Sequence, residues 1–555
     1  MGKDNKNMKW IKRILIYAIP ALIILAGILI FYDRIFPPGP NILLISIDTL
    51  RPDWLSCYDE VQYPTPNIDQ LASQGILFEN CITPIPITLP AHFSILYSLM
   101  PHEEKVYNNG DVIKTDKPSL TQLLKENDKK VQTAAIVSLG VLKKKFNLSA
   151  GFDDYNDKFD NEKSLWYRRA DEITDEALKW LQNRELKKNP FFLFVHYSDP
   201  HEPYAPPDMP VDMEISLNDE PVKKVVLSTG EQYRVLLHLP PGKNEVKFVT
   251  IDYDGKPFNQ SVKEAKCYLN ELRIYPLINV DVKYKNFSIV NLPKKNRLFL
   301  GSPAILQLTN NSKRTEKIIL VFSGRRLNTI KELRDFYGQE VRFCDQQIGR
   351  LIAKLKEWQM LDNLIIILVS DHGEGLGQHF LTGHIEQLYD SLLKVVCIIY
   401  NPKLKQKGLR VKQQVGLIDI APTILKLWKI KIPDFMQGRP LLTNELKLIN
   451  PVKERIFFSE TFAPQAKSTK FSLRTNKWKL IFTPSQKRWE LFDVANDIGE
   501  NHDLYEKEKD KKNTISLMNE LKEKYSHLLG MKRKLDKEKL DRDTLEMLKS
   551  LGYIN

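Results

Sequence analysis

A chain of 555 residues, 42% hydrophobic and 27% charged, has ordinary globular composition and room for roughly two to four domains, which excludes small disulfide- or metal-stapled scaffolds. Its 82 Lys and Arg against 69 Asp and Glu leave a net charge of +13, spread without a long basic run and without a zinc-finger or RNP-type motif, so nucleic acid is not an expected partner. The five cysteines (Cys57, Cys81, Cys267, Cys344 and Cys397) are odd in number, far apart and free of any C-x-x-C pair, which implies neither a zinc cluster nor a complete disulfide framework and leaves room for at most one or two bridges.

Residues 1–13 are basic, with Lys3, Lys6, Lys9, Lys12 and Arg13 against Asp4. Residues 14–32 are apolar and uncharged, close to the roughly 20 residues a helix needs to cross a bilayer. No small-residue cleavage site follows, so the run reads as a single membrane anchor rather than a cleaved signal. The basic flank predicts a cytoplasmic N-terminus and a periplasmic or extracellular catalytic domain, joined by a Pro-rich tether over 33–40.

The apolar, β-branched run 41–47 has the composition of a strand buried on both faces of a parallel sheet, and it stops at Asp48. Two further runs behave alike: 191–195 empties into His196, Asp199 and His201, and 364–369 into Ser370, Asp371, His372, Gly373 and Glu374. Sites in open α/β sheets form beyond the carboxyl ends of strands, so three such endings predict one shared site. Helical segments over 119–127, 170–184 and 328–358 complete an α/β pattern over 41–207 and 328–505. Short strands at 222–227, 232–239, 244–251 and 317–322, with a turn at 240–243, predict an inserted β domain over 208–327. Antiparallel strands over 471–492 predict a small C-terminal β subdomain, and the charged tail 506–555 is expected to be helical with a solvated face.

Asn41 to Asp53, Thr65 to Ala72, Thr88-Leu89-Pro90-Ala91-His92, Ser370 to Glu374 and Asp419 to Leu425 together resemble, in order, the motifs of the sulfatase family of the alkaline phosphatase superfamily. The resemblance runs over about 40–207 and from about 330 to the end, leaving the β insert outside, and it implies an alkaline phosphatase-like central sheet with helices on both faces. Independently of it, Asp48, Asp371 and His372 supply two carboxylates and an imidazole at strand ends, a donor set for one divalent cation such as Ca²⁺, Mg²⁺ or Mn²⁺, with Zn²⁺ also compatible. Thr49 would be a weak fourth ligand.

The family's C-x-P-S-R motif, whose cysteine becomes formylglycine, is replaced here by Thr88-Leu89-Pro90-Ala91-His92. Pro90 in a first helical turn places Thr88 at the N-cap side, where free N–H groups favour an anion, and the resemblance makes Thr88 the nucleophile. It also places His92 at the family's arginine position, Asn109 on the ester's non-bridging oxygens, His201 as donor to the leaving group and His384 at a substrate-binding lysine or histidine position. The family's G-K-W-H-L-G segment has no counterpart near Ser138, Leu139 and Gly140.

These features predict a membrane-anchored, metal-dependent hydrolase of sulfate or phosphate esters, with phosphodiesters favoured, acting on an anionic ester such as a glycan or lipid headgroup. Two alternatives are a phospho-alcohol transferase modifying cell-surface glycans or lipids and a non-catalytic surface binding protein that uses the insert.

Overall fold

The computed structural model describes residues 39–159, 166–183, 188–202, 204, 213–225, 233–250, 267–275, 280–292, 295–326, 329–380, 382–449, 454–462, 465–529 and 541–550. Asn41–Ile47 forms the middle of the main sheet, parallel to Leu364–Ser370 on one side and to Phe191–Tyr197 on the other. Gln132–Ile136 and Asp154–Asn156 extend it in parallel beyond Phe191–Tyr197. On the opposite side Cys397–Tyr400 and Ile76–Ile82 join antiparallel, and Lys394–Val395 and Leu409–Gly416 pair with Ile76–Ile82.

The pleat sorts these strands' side chains to two faces. Leu44, Phe194, Ile367 and Val369 face the layer of helices Thr88–Tyr97, Leu120–Asn127 and Ile420–Leu427. Leu43, Leu193, Ile366 and Leu368 face Pro66–Gln74, Ala170–Leu181 and Ile330–Glu357. This is the expected α/β architecture with helices on both faces. Reciprocal capping boxes, Ser119 with Gln122 and Thr329 with Glu332, start two of these helices one or two residues inside the predicted limits.

Between Phe191–Tyr197 and Ile330–Glu357 the chain builds a second, antiparallel sheet from Met213–Leu217, Glu220–Val225, Tyr233–Leu239, Gly242–Thr250, Cys267–Tyr275, Val280–Leu292, Lys295–Asn310 and Glu316–Arg326. Its core, including Ile215, Val235, Phe248, Leu306 and Phe322, shares no residue with the two cores of the main sheet. Gly242, at φ +94°, takes the left-handed position that starts the strand after Pro240 and Pro241.

Phe457–Thr461, Lys470–Arg474, Trp478–Thr483 and Arg488–Asp493 form a four-stranded antiparallel C-terminal sheet. Lys512–Tyr525 and Arg542–Ser550 are helical, but the tail is more than a solvated face. Leu521, Tyr525, Met547 and Leu548 are buried in the main core, and the Tyr525 ring stacks on Phe471 with centroids 4.2 Å apart. Leu517, Leu521 and Tyr525 recur every four residues, an apolar stripe that the surrounding charge obscures in sequence.

The membrane placement needs correction. Among the described residues no helix is long and apolar enough to cross a membrane, which stands against the single-pass localisation expected from the sequence. Residues 14–32, on which that expectation rested, lie outside the described residues.

Candidate active site

Leu364–Ser370, Asn41–Ile47 and Phe191–Tyr197 end side by side, and their alternation brings Asp371, Asp48 and His196 out toward the helix Thr88–Tyr97. All three side chains are fully buried. Both oxygens of Asp48 and Oδ2 of Asp371 have no hydrogen-bond partner among the described residues. Asp371 Oδ1 accepts from the backbone N–H groups of His372, 2.8 Å, and Thr49, 3.2 Å, which leaves Oδ2 turned to the centre. His372 Nε2 lies 3.4 Å from that Oδ2 and 3.6 Å from Asp48 Oδ1. Its Nδ1 donates to the Gly373 carbonyl at 3.0 Å, so Nε2 presents a lone pair.

Bare carboxylate oxygens are costly to bury without a counter-charge. Asp371 is driven well above the usual carboxylate range by burial and by the charge of Asp48. Burial and the neighbouring His384 keep His372 neutral, as a metal-binding imidazole must be. Orphaned carboxylate oxygens, an imidazole nitrogen without a hydrogen and ligand atoms all within 4.8 Å of one another show that Asp48, Asp371 and His372 fit a divalent metal. Thr49 is less suited, because its hydroxyl bonds the Asp48 and Pro200 carbonyls at 2.7 and 2.8 Å.

Thr88 is the first residue of its helix, one position inside the cap residue Ile87. Its hydroxyl lies 3.3 Å from His372 Nε2 and is the donor, since that nitrogen carries no hydrogen. Asn109 Oδ1 accepts from the next backbone N–H, of Leu89, at 2.9 Å, while Asn109 Nδ2 is buried without a partner among the described residues.

His92 is engaged at both ring nitrogens. Nδ1 donates to the Thr88 carbonyl at 2.7 Å, and Nε2 accepts from Ser46 Oγ at 2.9 Å. Burial, helped by His196, lowers its pKa to about 3, so the ring is uncharged and braces the helix turn that carries Thr88.

His201, His384 and His372 form a run of rings, with centroids 5.0 Å apart for the first pair and 4.5 Å for the second. Burial, together with His384, lowers the pKa of His201. Burial lowers that of His384 too, but Glu374, with Oε1 3.4 Å from His384 Nδ1, outweighs it and raises the net value. The two shifts run in opposite directions, so His384 holds its proton more firmly than His201.

Sequence reasoning did not single out His196 or Glu374 as site residues. For His196 the signal was present, since even-numbered positions 192, 194 and 196 share the face on which Asp48 emerges. Glu374 carried no comparable signal, because its pairing with His384 depends on the fold of 375–383.

A model of the family described as Sulfatase matches residues 40–430. The chain belongs to the sulfatase family. A second model, of the C-terminal region of N-sulphoglucosamine sulphohydrolase, matches residues 385–527 of this family member. Over 522 residues the chain is 25% identical to an N-acetylglucosamine-6-O-sulfatase of Bacteroides thetaiotaomicron, covering 88% of this chain and 87% of the relative. An arylsulfatase of Clostridium perfringens is 26% identical over 420 residues, 72% of this chain and 77% of the relative. Among solved structures, a complex with the substrate D-glucosamine-2-N,6-O-disulfate superposes with a TM-score of 0.57 at 21% identity, covering 88% of this chain and 98% of that one. The phosphonate monoester hydrolase of Agrobacterium radiobacter gives 0.57 at 16% identity, over 88% and 96%.

This sulfatase-family chain is therefore a hydrolase of the class that acts on sulfate esters, with the alkaline phosphatase-like fold and residues fit for a divalent metal. Family membership replaces the reading of a non-catalytic binding protein. The transferase reading has no counterpart among the relatives named here, which are sulfatases and a hydrolase.

Proposed function

We propose that this sulfatase-family hydrolase works through Thr88 as nucleophile and turns over monoanionic phosphorus esters, phosphodiesters or phosphonate monoesters, faster than sulfate esters. The observation that carries the reading is the Thr88 hydroxyl, 3.3 Å from His372 Nε2 in the first turn of a buried helix. Thr88 Oγ1 gives its proton to solvent and bonds to phosphorus as the bond from phosphorus to the leaving alcohol breaks. The departing oxygen takes a proton from the His201 and His384 pair, of which His384 holds its proton the more firmly. Water then attacks phosphorus and releases Thr88 with its hydroxyl restored. A metal held by Asp48, Asp371 and His372 would acidify the attacking hydroxyl and offset charge on the ester oxygens.

Two features support phosphorus over sulfur. A formylglycine hydrate can expel sulfate by breaking its own carbon–oxygen bond, whereas threonine has one hydroxyl and its ester must be opened by attack at the central atom. Phosphoryl groups on hydroxyls undergo that second attack readily with metal assistance. The pocket's fixed positive charge is also small, since His92 is neutral and stands where the family carries arginine. A second reading, hydrolysis of a 6-sulfated amino sugar, is favoured by the 25% identity over 522 residues to the Bacteroides enzyme.

A panel of aryl phosphodiester, phosphonate monoester, phosphomonoester and sulfate substrates, supplied with Mn²⁺, Mg²⁺, Ca²⁺ or Zn²⁺, separates the two readings. The first expects kcat/KM for a diester or phosphonate above that for the sulfate by about tenfold or more, a barrier difference of about 1.4 kcal/mol. Sulfate turnover above diester turnover would support the second.

A further inference from the structure

We propose that Gln465 and Thr461, both contributed by the C-terminal β subdomain, are positioning residues of the ester pocket. Gln465 fixes the backbone of Asn109 so that its side-chain amide is presented to the substrate, and Thr461 fixes the backbone beside His384. The proposal rests on the reading that Asn109 and His384 meet the ester, and it holds whether the central atom is phosphorus or sulfur.

Asn109 is buried but lies outside any helix or strand, so its backbone N–H and C=O need partners from elsewhere. The two preceding N–H groups find one locally. Those of Tyr107 and Asn108 donate to Asp111 Oδ2 at 2.8 and 2.9 Å, a closure made across Gly110, whose φ of +94° turns the chain back. Asn109 is left out of that closure. Its N–H donates to Gln465 Oε1 at 3.0 Å and its carbonyl accepts from Gln465 Nε2 at 2.8 Å, so one side-chain amide, 356 positions away, holds both. The donor and the acceptor on Asn109 also decide which end of the Gln465 amide is oxygen. With both ends spent on Asn109, Gln465 acts on the pocket through that residue rather than by touching the ester.

What this clamp holds in place is a donor. Asn109 Oδ1 accepts from Leu89 N–H at 2.9 Å, beside Thr88 in the first turn of the helix. Once the backbone and Oδ1 are pinned, the direction of Nδ2 is set, and Nδ2 is buried without a partner among the described residues. A buried N–H with nothing to bond is costly, and an anionic ester oxygen beside Thr88 would satisfy it.

The second contact is on strained backbone. Ile385, directly after His384, has φ +82°, in the left-handed region that a β-branched side chain disfavours. Gly383, on the other side of His384, has φ +79°. His384 therefore stands between two left-handed residues, in the turn that sets its ring 4.5 Å from that of His372 and 5.0 Å from that of His201. Such a conformation persists only where its surroundings hold it. Thr461, the buried last residue of Phe457–Thr461, supplies a hold, because its Oγ1 donates to the Ile385 carbonyl at 2.6 Å. Two residues four positions apart thus fix two groups that approach Thr88 by different routes, Asn109 through Leu89 and His384 through His372.

The test uses the metal-loaded full chain and a series of substituted phenyl esters of whichever class the substrate panel favours. Gln465→Ala should lower kcat/KM about tenfold or more with every leaving group alike, and should add nothing to the loss in Asn109→Ala, because it acts through that residue. Thr461→Val should lower kcat/KM more for a phenyl ester than for a 4-nitrophenyl ester, whose leaving group departs without a proton, and Thr461→Ser should restore it. Parental kcat/KM in Asn109→Ala would overturn the ester-site reading and this proposal with it. Parental kcat/KM in Gln465→Ala, or a full Gln465→Ala loss persisting in an already impaired Asn109→Ala background, would overturn this proposal alone. A Thr461→Val loss equal for all leaving groups would overturn the part given to Thr461. If Gln465→Ala does not fold, Gln465→Met, of similar length and without the amide, carries the same cycle.

Discussion

The main sheet and the inserted sheet are built from similar apolar strands, yet only the first ends in chemistry. In the main sheet Leu364–Ser370 and Phe191–Tyr197 are buried at every position, because helices cover both faces. Polar side chains can then enter only where the strands stop, and adjacent parallel strands stop together. Asp48, His196, Asp371 and His372 are concentrated by that constraint. In the insert, Tyr233–Leu239 alternates buried Val235, Leu237 and Leu239 with exposed Arg234, Leu236 and His238, so its outward groups are spread along the strand. A sheet covered on both faces gathers function at one edge, and a sheet covered on one face distributes its outward side chains over a surface.

The strongest way to break this contrast is to remove one atom group from the strand-end site. Thr88→Ala should lower turnover about 10³-fold or more, as loss of a nucleophile does, while metal content stays near one per chain in elemental analysis. Chelation should abolish turnover and also lower the melting temperature by several degrees, because Asp48 and Asp371 lose the charge that reconciles them. Re-addition of metal should restore both.

A third change sharpens the contrast by striking the packed tail. Leu521→Ala removes a fully buried side chain from the main core and should cost about 2–5 kcal/mol by urea unfolding. The fourth is an effect of pH. Glu374 raises the pKa of His384, so activity that needs this proton persists to higher pH and is lost as pH rises through the raised value. Glu374→Gln should move the alkaline limb of kcat/KM to lower pH, with the acid limb less affected. The smallest effect is expected from the insert. Replacing 213–326 by a short Gly-Ser bridge should leave turnover of a small aryl ester within about threefold, since its core is separate from those of the main sheet.

Much of this was legible in the sequence because the rule behind it is local. Buried runs at 41–47, 191–195 and 364–369 declared a two-faced parallel sheet, and their polar endings declared the site. His196 escaped because it was read as the end of a run rather than as a member of its face. The state of His92 could not be read at all, since it depends on Ser46, 46 residues away, and on a carbonyl one helical turn back. The tail was misjudged because its charge outweighs an apolar stripe of one residue per turn. The raised pKa of His384 likewise depends on a carboxylate placed by tertiary structure.

The claim that Thr88 carries the reaction is tested most directly by trapping its ester. Acid quench of the metal-loaded parent during turnover of an aryl phosphodiester, followed by peptide mass spectrometry, should find the transferred phosphoryl group on the peptide containing Thr88 and on no other. Absence of that adduct, together with undiminished turnover in Thr88→Ala, would contradict the account.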